Sequence, residues 1–266
     1  MAVIDAWDFP GVDGDYATIA NPSPFALGHF RTGVSYNPWT IAVIMNVDDV
    51  NQAQRGCLFA SQRASNDQMS HSVVFEPTNN NYEYQYNAGA IHEPSLTEVN
   101  DTWITASLSF AGGTGNVTFR RIPLSTATQS HTSTGASGGS DSADAQPQKI
   151  TLGAYVDGAT VNQELNGQIA LILILKGTEL SQAELEAWTA DPLNYGDFLV
   201  SVHGTNCFFW DNSGVDIGGN GFAAPTLSGT VTRGSGNGPD ITARSAPSNN
   251  TLIMIKKTTL GKVMIR

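Results

Sequence analysis

The chain predicts an all-β jelly-roll sandwich, and three observations carry that expectation. First, only 14% of its 266 residues are charged, against roughly 25% in an average soluble protein. Second, 27 glycines and 12 prolines punctuate it, which suits many tight turns and not a helical bundle. Third, short runs of β-branched and aromatic residues recur between Gly, Asn, Pro and Ser clusters, the pattern of short antiparallel strands packed in two sheets. A hydrophobic content of 40% is enough to bury a core, so wholesale disorder is excluded.

The strand candidates, in order, are residues 16–19, 39–47, 57–61, 71–76, 82–86, 102–110, 116–122, 149–152 and 167–175. From Thr105 to Phe110 polar and apolar residues alternate, the period of a half-buried strand. Residues 169–175 are continuously apolar and read as a strand covered on both faces. Gly167 after Asn166 suits a tight turn or bulge leading into that strand. One helix is expected over 180–188. Ser181 and Glu184 stand at capping-box spacing there, and Asp191-Pro192 marks its end. Residues 125–148, rich in Thr, Ser, Gly and Ala, read as a long exposed loop. The glycine-rich stretch 213–221 has no helix signal after it and fails the test for a phosphate cradle. The expected organisation is a sandwich over 1–196, then 197–240 as either a β-rich appendage or closing strands, then a basic arm over 241–266.

Charge is unevenly placed. The formal net charge is −11, and residues 241–266 hold +5 with no acid, which leaves −16 on residues 1–240. That acidity argues against nucleic-acid binding by the body of the chain. No apolar run is long enough to span a membrane, and residues 1–8 show no secretory signal. The arm residues Lys256, Lys257, Lys262 and Arg266 belong either to a frayed tail or to a segment that docks on an acidic surface, its own or a neighbour's. Cys57 and Cys207 match no metal or redox spacing and are expected as two buried thiols.

Three segments together resemble the laminin G-like branch of the concanavalin A-like lectin and glucanase superfamily. They are the Phe9, Gly11, Asp15-Tyr16 and Ile19 pattern near the start, Trp39-Thr40-Ile41-Ala42-Val43 with Thr102-Trp103-Ile104, and Asn166-Gly167-Gln168-Ile169 followed by Leu180-Ser181-Gln182-Ala183-Glu184. The resemblance implies a two-sheet sandwich with a concave face of the kind used for glycans or partner proteins, and a fold found in phage virion proteins. Fold alone does not fix function.

Glycosidases of this fold commonly carry Glu-x-Asp-x-Glu on one strand, which sets two carboxylates on one face. The chain has no such triplet. Gln129-Ser130-His131 lacks the Arg-x-Glu partner of a polysaccharide lyase, and Gly135 to Gly139 lacks the strand and helix of a nucleophile elbow. No catalytic residue is therefore assigned, and a non-enzymatic role is expected. For binding, Tyr82, Tyr84 and Tyr86 fall on one face of their strand. They either stack on sugar rings or pack between the sheets. Asp13 and Asp15 either contribute to a calcium site or act as turn residues, and no metal ligand is assigned.

These readings converge on a structural or display protein of a virus particle, a bacteriophage capsid decoration or tail-surface protein, expected as a homo-oligomer. Its partners would be other virion proteins and host-surface glycans, and its location the virion surface. The other class of reading is a carbohydrate-binding module of a polysaccharide-processing system.

Overall fold

The computed structural model describes residues 2–20, 31–32, 35–36, 38–52, 55–63, 69–77, 81–86, 90–92, 101–112, 117–124, 129–133, 147–157, 160–210, 225–234 and 236–241. In chain order the strands begin with β1 (Ala2–Val3), β2 (Ala6–Pro10), β3 (Tyr16–Ala20), β4 (Arg31–Thr32), β5 (Ser35–Tyr36), β6 (Trp39–Val47) and β7 (Gly56–Arg63). Next come β8 (Met69–Glu76), β9 (Asn81–Tyr86), β10 (Ala90–His92), β11 (Ile104–Phe110), β12 (Val117–Pro123), β13 (Gln129–Ser133) and β14 (Pro147–Leu152). The chain continues through β15 (Tyr155–Asp157), β16 (Thr160–Asn162), β17 (Asn166–Lys176), α1 (Gln182–Ala190) and α2 (Pro192–His203). It closes with β18 (Cys207–Trp210), β19 (Thr226–Ser228), β20 (Thr232–Gly234) and β21 (Asp240–Ile241).

Among the described residues two antiparallel sheets dominate. One has seven strands in the order β10-β9-β8-β7-β14-β3-β19. The other has eight, β13-β12-β11-β6-β17-β2-β20, with β18 continuing the pairing along β17 where β2 ends. This is the all-β sandwich that the sequence predicts. All nine expected strands are present, each within two residues at either end.

The inner core lies between the sheets. Trp7, Phe9, Ile41, Val43, Met45, Ile172 and Ile174 come from the eight-stranded sheet, and Leu58, Phe59, Val73, Phe75 and Ile150 from the other. A second core covers the outer face of the eight-stranded sheet. Ala42, Ile44, Leu171, Leu173 and Leu175 meet Leu185, Trp188, Leu193 and Leu199 of the two helices there. A register shift between Ile169 and Leu171 puts Ala170 and Leu171 together on the helix side. Beyond that shift, Ile172 and Ile174 point inward and Leu173 and Leu175 outward, so β17 is covered on both faces as expected. On the outer face of the seven-stranded sheet, Tyr155 of the β15–β16 hairpin packs on Cys57, Ala60 and Val74.

Several expectations are corrected. Strand β11 is buried throughout. Its polar residues lie under the helical layer, where the Thr189 hydroxyl donates to Thr105 Oγ1 at 2.8 Å. A second helix exists because Pro192 has no backbone N–H to lose at a helix start, so the Asp191-Pro192 stop is also a start. The expected boundary at 196/197 falls inside this helix. Downstream, β18, β19, β20 and β21 pair with β17, β3, β2 and β1, so these four strands extend the sandwich. Within the expected loop 125–148, residues 129–133 form β13, and β14 starts at Pro147. Among the described residues β13 pairs with β12 alone, at the edge of its sheet, which requires backbone groups but no apolar side chains. Residues 134–146 and the stretch 213–221 lie outside the described residues. Gly167 is neither turn nor bulge; a Cβ there would sit 2.2 Å from the Asn46 carbonyl oxygen, so the need is close strand approach.

The two sheets are tied at one end by an acid. The Asp15 carboxylate, fully buried, accepts from the Thr230 amide at 2.6 Å, the Thr230 hydroxyl at 2.9 Å and the Val12 amide at 3.2 Å. It thereby locks the β2–β3 turn to the β19–β20 turn. Gly229 follows the same constraint, with φ +70° and no room for a Cβ beside Asp15 Oδ1. Replacing Asp15 with Ala should cost about 2–4 kcal/mol in urea unfolding, since it strands buried donors that now meet a charge. A loss below about 0.5 kcal/mol would contradict this role.

Candidate functional site

The sequence-predicted tyrosines divide. Tyr82 is fully buried, stacked on Phe119 with centroids 5.2 Å apart, and its hydroxyl reaches Met45 Sδ at 3.4 Å. It packs between the sheets beside Phe75, which removes it from any sugar-stacking surface. Tyr84 and Tyr86 pair by backbone with Val73 and His71, and their side chains lie outside the described residues. On the opposite face of β9, Glu83 is buried and its carboxylate meets Arg55 at 3.0 Å. The arm residues Lys256, Lys257, Lys262 and Arg266 lie outside the described residues. Asp15 acts in the turn clip already described, while Asp13 is exposed. Both cysteines are free and buried, and burial pushes the Cys57 thiol far up.

The helices cover only part of the outer face of the eight-stranded sheet, and where they end its side chains turn polar. Asp8 on β2, Gln168 on β17 and Asn46 on β6 are cross-strand partners in one row. Asp48 follows Asn46 by two residues and so shares its face. Asp101 sits alongside, its amide donating to the Val47 carbonyl, with φ +54°.

Gln168 organises the row. Its Nε2 donates to Asp8 Oδ1 at 3.0 Å and to Asp48 Oδ2 at 2.9 Å, and its Oε1 accepts from Asn46 Nδ2 at 2.9 Å. The two carboxylates fix the amide's sense, because reversing it would set its oxygen against theirs. That in turn fixes Asn46, whose Oδ1 is left buried without a donor in a residue only 6% exposed.

The result is a set of acceptors: the second oxygens of Asp8 and Asp48, the Asp101 carboxylate and Asn46 Oδ1. Partial burial, then the charges of Asp8 and Asp101, raise the Asp48 carboxyl above the ordinary aspartate value, against the Gln168 bond that lowers it. Among the described residues no three His, Cys, Asp or Glu side chains converge to hold a metal ion. The array instead suits an extended ligand with several hydrogen-bond donors, such as a polyol or a chain of cations.

Sequence reasoning missed this array. Asp8, Asp48 and Asp101 form no motif, and only strand register brings them together. The available signal was the switch from aliphatic to polar residues on one face of adjoining strands, at Ile44 to Asn46 and at Leu171 to Gln168.

No family model matches the chain, and no curated protein matches it in sequence. Solved structures do resemble it. A Bacteroides ovatus protein described as carbohydrate-binding aligns over 91% of this chain and 62% of its own, at 10% identity and a TM-score of 0.54. This chain thus spans under two thirds of that protein. A SAP-like pentraxin from Limulus polyphemus aligns over 70% of this chain and 82% of its own, at 11% identity and a TM-score of 0.49. The LG1-3 region of the laminin alpha2 chain aligns over 68% of this chain and 32% of its own, at 12% identity and a TM-score of 0.46. At 10% identity the likeness to the Bacteroides ovatus protein is one of fold, an antiparallel two-sheet β-sandwich.

The array makes a stability prediction. With the Asp48 pKa raised in the folded state, the folded chain binds more protons than the unfolded chain in the window above the ordinary aspartate value. Stability therefore falls as pH rises through that window. Asp48→Asn keeps an acceptor for Gln168 and removes the charge. It should be more stable than the parent at pH 7 by about 0.5 kcal/mol, the size of a screened charge interaction. The gain should vanish below the ordinary aspartate pKa. Equal urea midpoints at pH 7, or a less stable variant, would contradict the like-charge account.

Proposed function

We propose that this chain is a non-catalytic, glycan-binding sandwich whose ligand hydroxyls donate into the Asp8–Gln168–Asp48 array. The carrying observation is two half-buried carboxylates, Asp8 and Asp48, each held through one oxygen by Gln168, beside the Asn46 Oδ1, which has no hydrogen-bond partner among the described residues. Carboxylate acceptors strengthen such bonds relative to neutral ones. The description of the Bacteroides ovatus protein as carbohydrate-binding supports the same class. The non-catalytic part rests on the sequence, which contains no Glu-x-Asp-x-Glu strand.

The test is a panel of immobilised polysaccharides probed with the intact protein and with the double variant Asp8→Asn, Asp101→Asn. Asparagine tolerates the positive φ at position 101 and the two replacements relieve like-charge repulsion on Asp48, so the variant should melt no lower than the parent. The parent should bind at least one neutral polysaccharide, and the variant should bind it about tenfold more weakly. Equal binding by both proteins, or no binding by the parent, would overturn the assignment. Release of new reducing ends from the bound polymer would overturn its non-catalytic part.

Within this reading we propose a setting on the surface of a virus particle. The support is the charge asymmetry of the chain, an acidic body followed by a basic, β-prone arm over 241–266, which suits docking between subunits. Mass spectrometry of gradient-purified particles from the source culture should find the chain in stoichiometric amount. Its absence from particles, with free protein in the medium, would leave a carbohydrate-binding module in its place.

A further inference from the structure

We propose that the array selects polysaccharides built of amino sugars with free amines over neutral and acidic ones. The inference rests on the glycan reading and names its ligand class. Gln168 Nε2 bonds one oxygen of Asp8 at 3.0 Å and one of Asp48 at 2.9 Å, so those two oxygens are separated by no more than the two bonds laid end to end. Both residues are half-buried, which strips part of the water that ordinarily hydrates a carboxylate. Asp13 and Asp240 are exposed, keep their water and have no comparable need. Burial, then the charges of Asp8 and Asp101, push the Asp48 carboxyl up, as expected of like charges held close in a partly dry place. A cation seated there relieves both the repulsion and the lost hydration.

The occupant must do more than carry charge. Asn46, more than nine-tenths buried, gives its Nδ2 to Gln168 and leaves its Oδ1 without a hydrogen-bond partner. A neutral amide oxygen in the same row calls for a neutral donor such as a hydroxyl. The array therefore asks for ammonium and hydroxyl donors close together on one ligand. An amino sugar presents both on adjacent carbons. Its ammonium has three donors and bonds carboxylate oxygens at about 2.7–2.9 Å, the size to bridge Asp8 and Asp48. A bare metal ion has no such donors, and among the described residues no three His, Cys, Asp or Glu side chains converge on one point. Asp8, Gln168 and Asn46 cross three adjacent strands, a row about 10 Å long that offers a polymer several contacts in sequence. N-acetylation removes the ligand's charge, and a uronic acid brings a repelling one. Both classes should bind more weakly.

The test is calorimetric titration of the intact protein with β-linked glucosamine oligomers of one length, either fully N-acetylated or fully de-acetylated, at 0.15 M NaCl. Charges beyond about 8 Å are largely screened at that salt, which damps general attraction to the acidic body. The free-amine oligomer should bind at least about tenfold more tightly. In Asp8→Asn, Asp101→Asn the preference should fall to about threefold or less, because only Asp48 keeps its charge. The control Asp13→Asn, Asp240→Asn removes two charges from exposed sites and should keep the full preference. Equal binding of the two oligomers, equal loss of preference in both variants, or equal displacement by poly-lysine of matched charge would each overturn the proposal. A neutral polysaccharide bound through the array, with no preference for the free amine, would remove this inference and leave the glycan reading standing. No binding of any polysaccharide would remove both.

Discussion

Two adjacent strands, β6 and β17, are apolar on both faces, and the rest of the molecule follows from the need to bury them. Their inward side chains meet the seven-stranded sheet. Their outward ones, from Ala42 and Ile44 to Leu171 and Leu173, would otherwise form an exposed aliphatic sheet face. The two helices cover it. Thr40 fixes the helical layer to the sheet: its hydroxyl accepts from the Leu180 amide at 2.8 Å and donates to the Thr178 carbonyl at 3.2 Å. The capping box at Ser181 and Glu184 then starts α1 one residue after that anchor. What the helices do not reach must be polar, and that polar remainder is the array at Asn46, Asp48 and Gln168.

The C-terminal half of the described chain has a different task. The segment from β19 to β21 pairs successively with β3, β2 and β1, so the last strands close the edge opened by the first. The Asp15–Thr230 clip sits where that path crosses from one sheet to the other. Asp5 adds a peripheral tie to Arg233 at 3.6 Å, and Arg233 lies over the Trp7 ring. These contacts bring residues far apart in the chain into one turn pair, so the sandwich edge depends on its two ends meeting.

Legibility from sequence follows the same physics. Strands with strong side-chain patterns, such as 39–47 and 167–175, could be read because burial dictates their composition. The motif-bearing segments are spatial neighbours: β2, β17, β6 and β11 are consecutive in the eight-stranded sheet, with α1 packed above. Strand β13 could not be read, because an edge strand needs only backbone partners. Helix α2 was hidden behind a proline that both ends and begins helices. The alternation at 105–109 suggested solvent where a helix lies, since Thr105 finds its partner in Thr189. Among candidate site residues, Tyr82 shows the limit of a face argument: alternation gives a common face but not which face is the core. The array depended on register among three strands and so had no linear signature.

Asp8 and Asp48, bridged by Gln168, and Asp101, whose charge acts on Asp48, form one electrostatic unit. Carboxyl-carbon NMR titration of the intact protein tests it directly. Asp48 should titrate above the ordinary aspartate value, and its pKa should move back down when Asp8 and Asp101 are replaced by asparagine. An Asp48 carboxyl that titrates at the ordinary value, or is unmoved by those replacements, would contradict the unit and the site built on it.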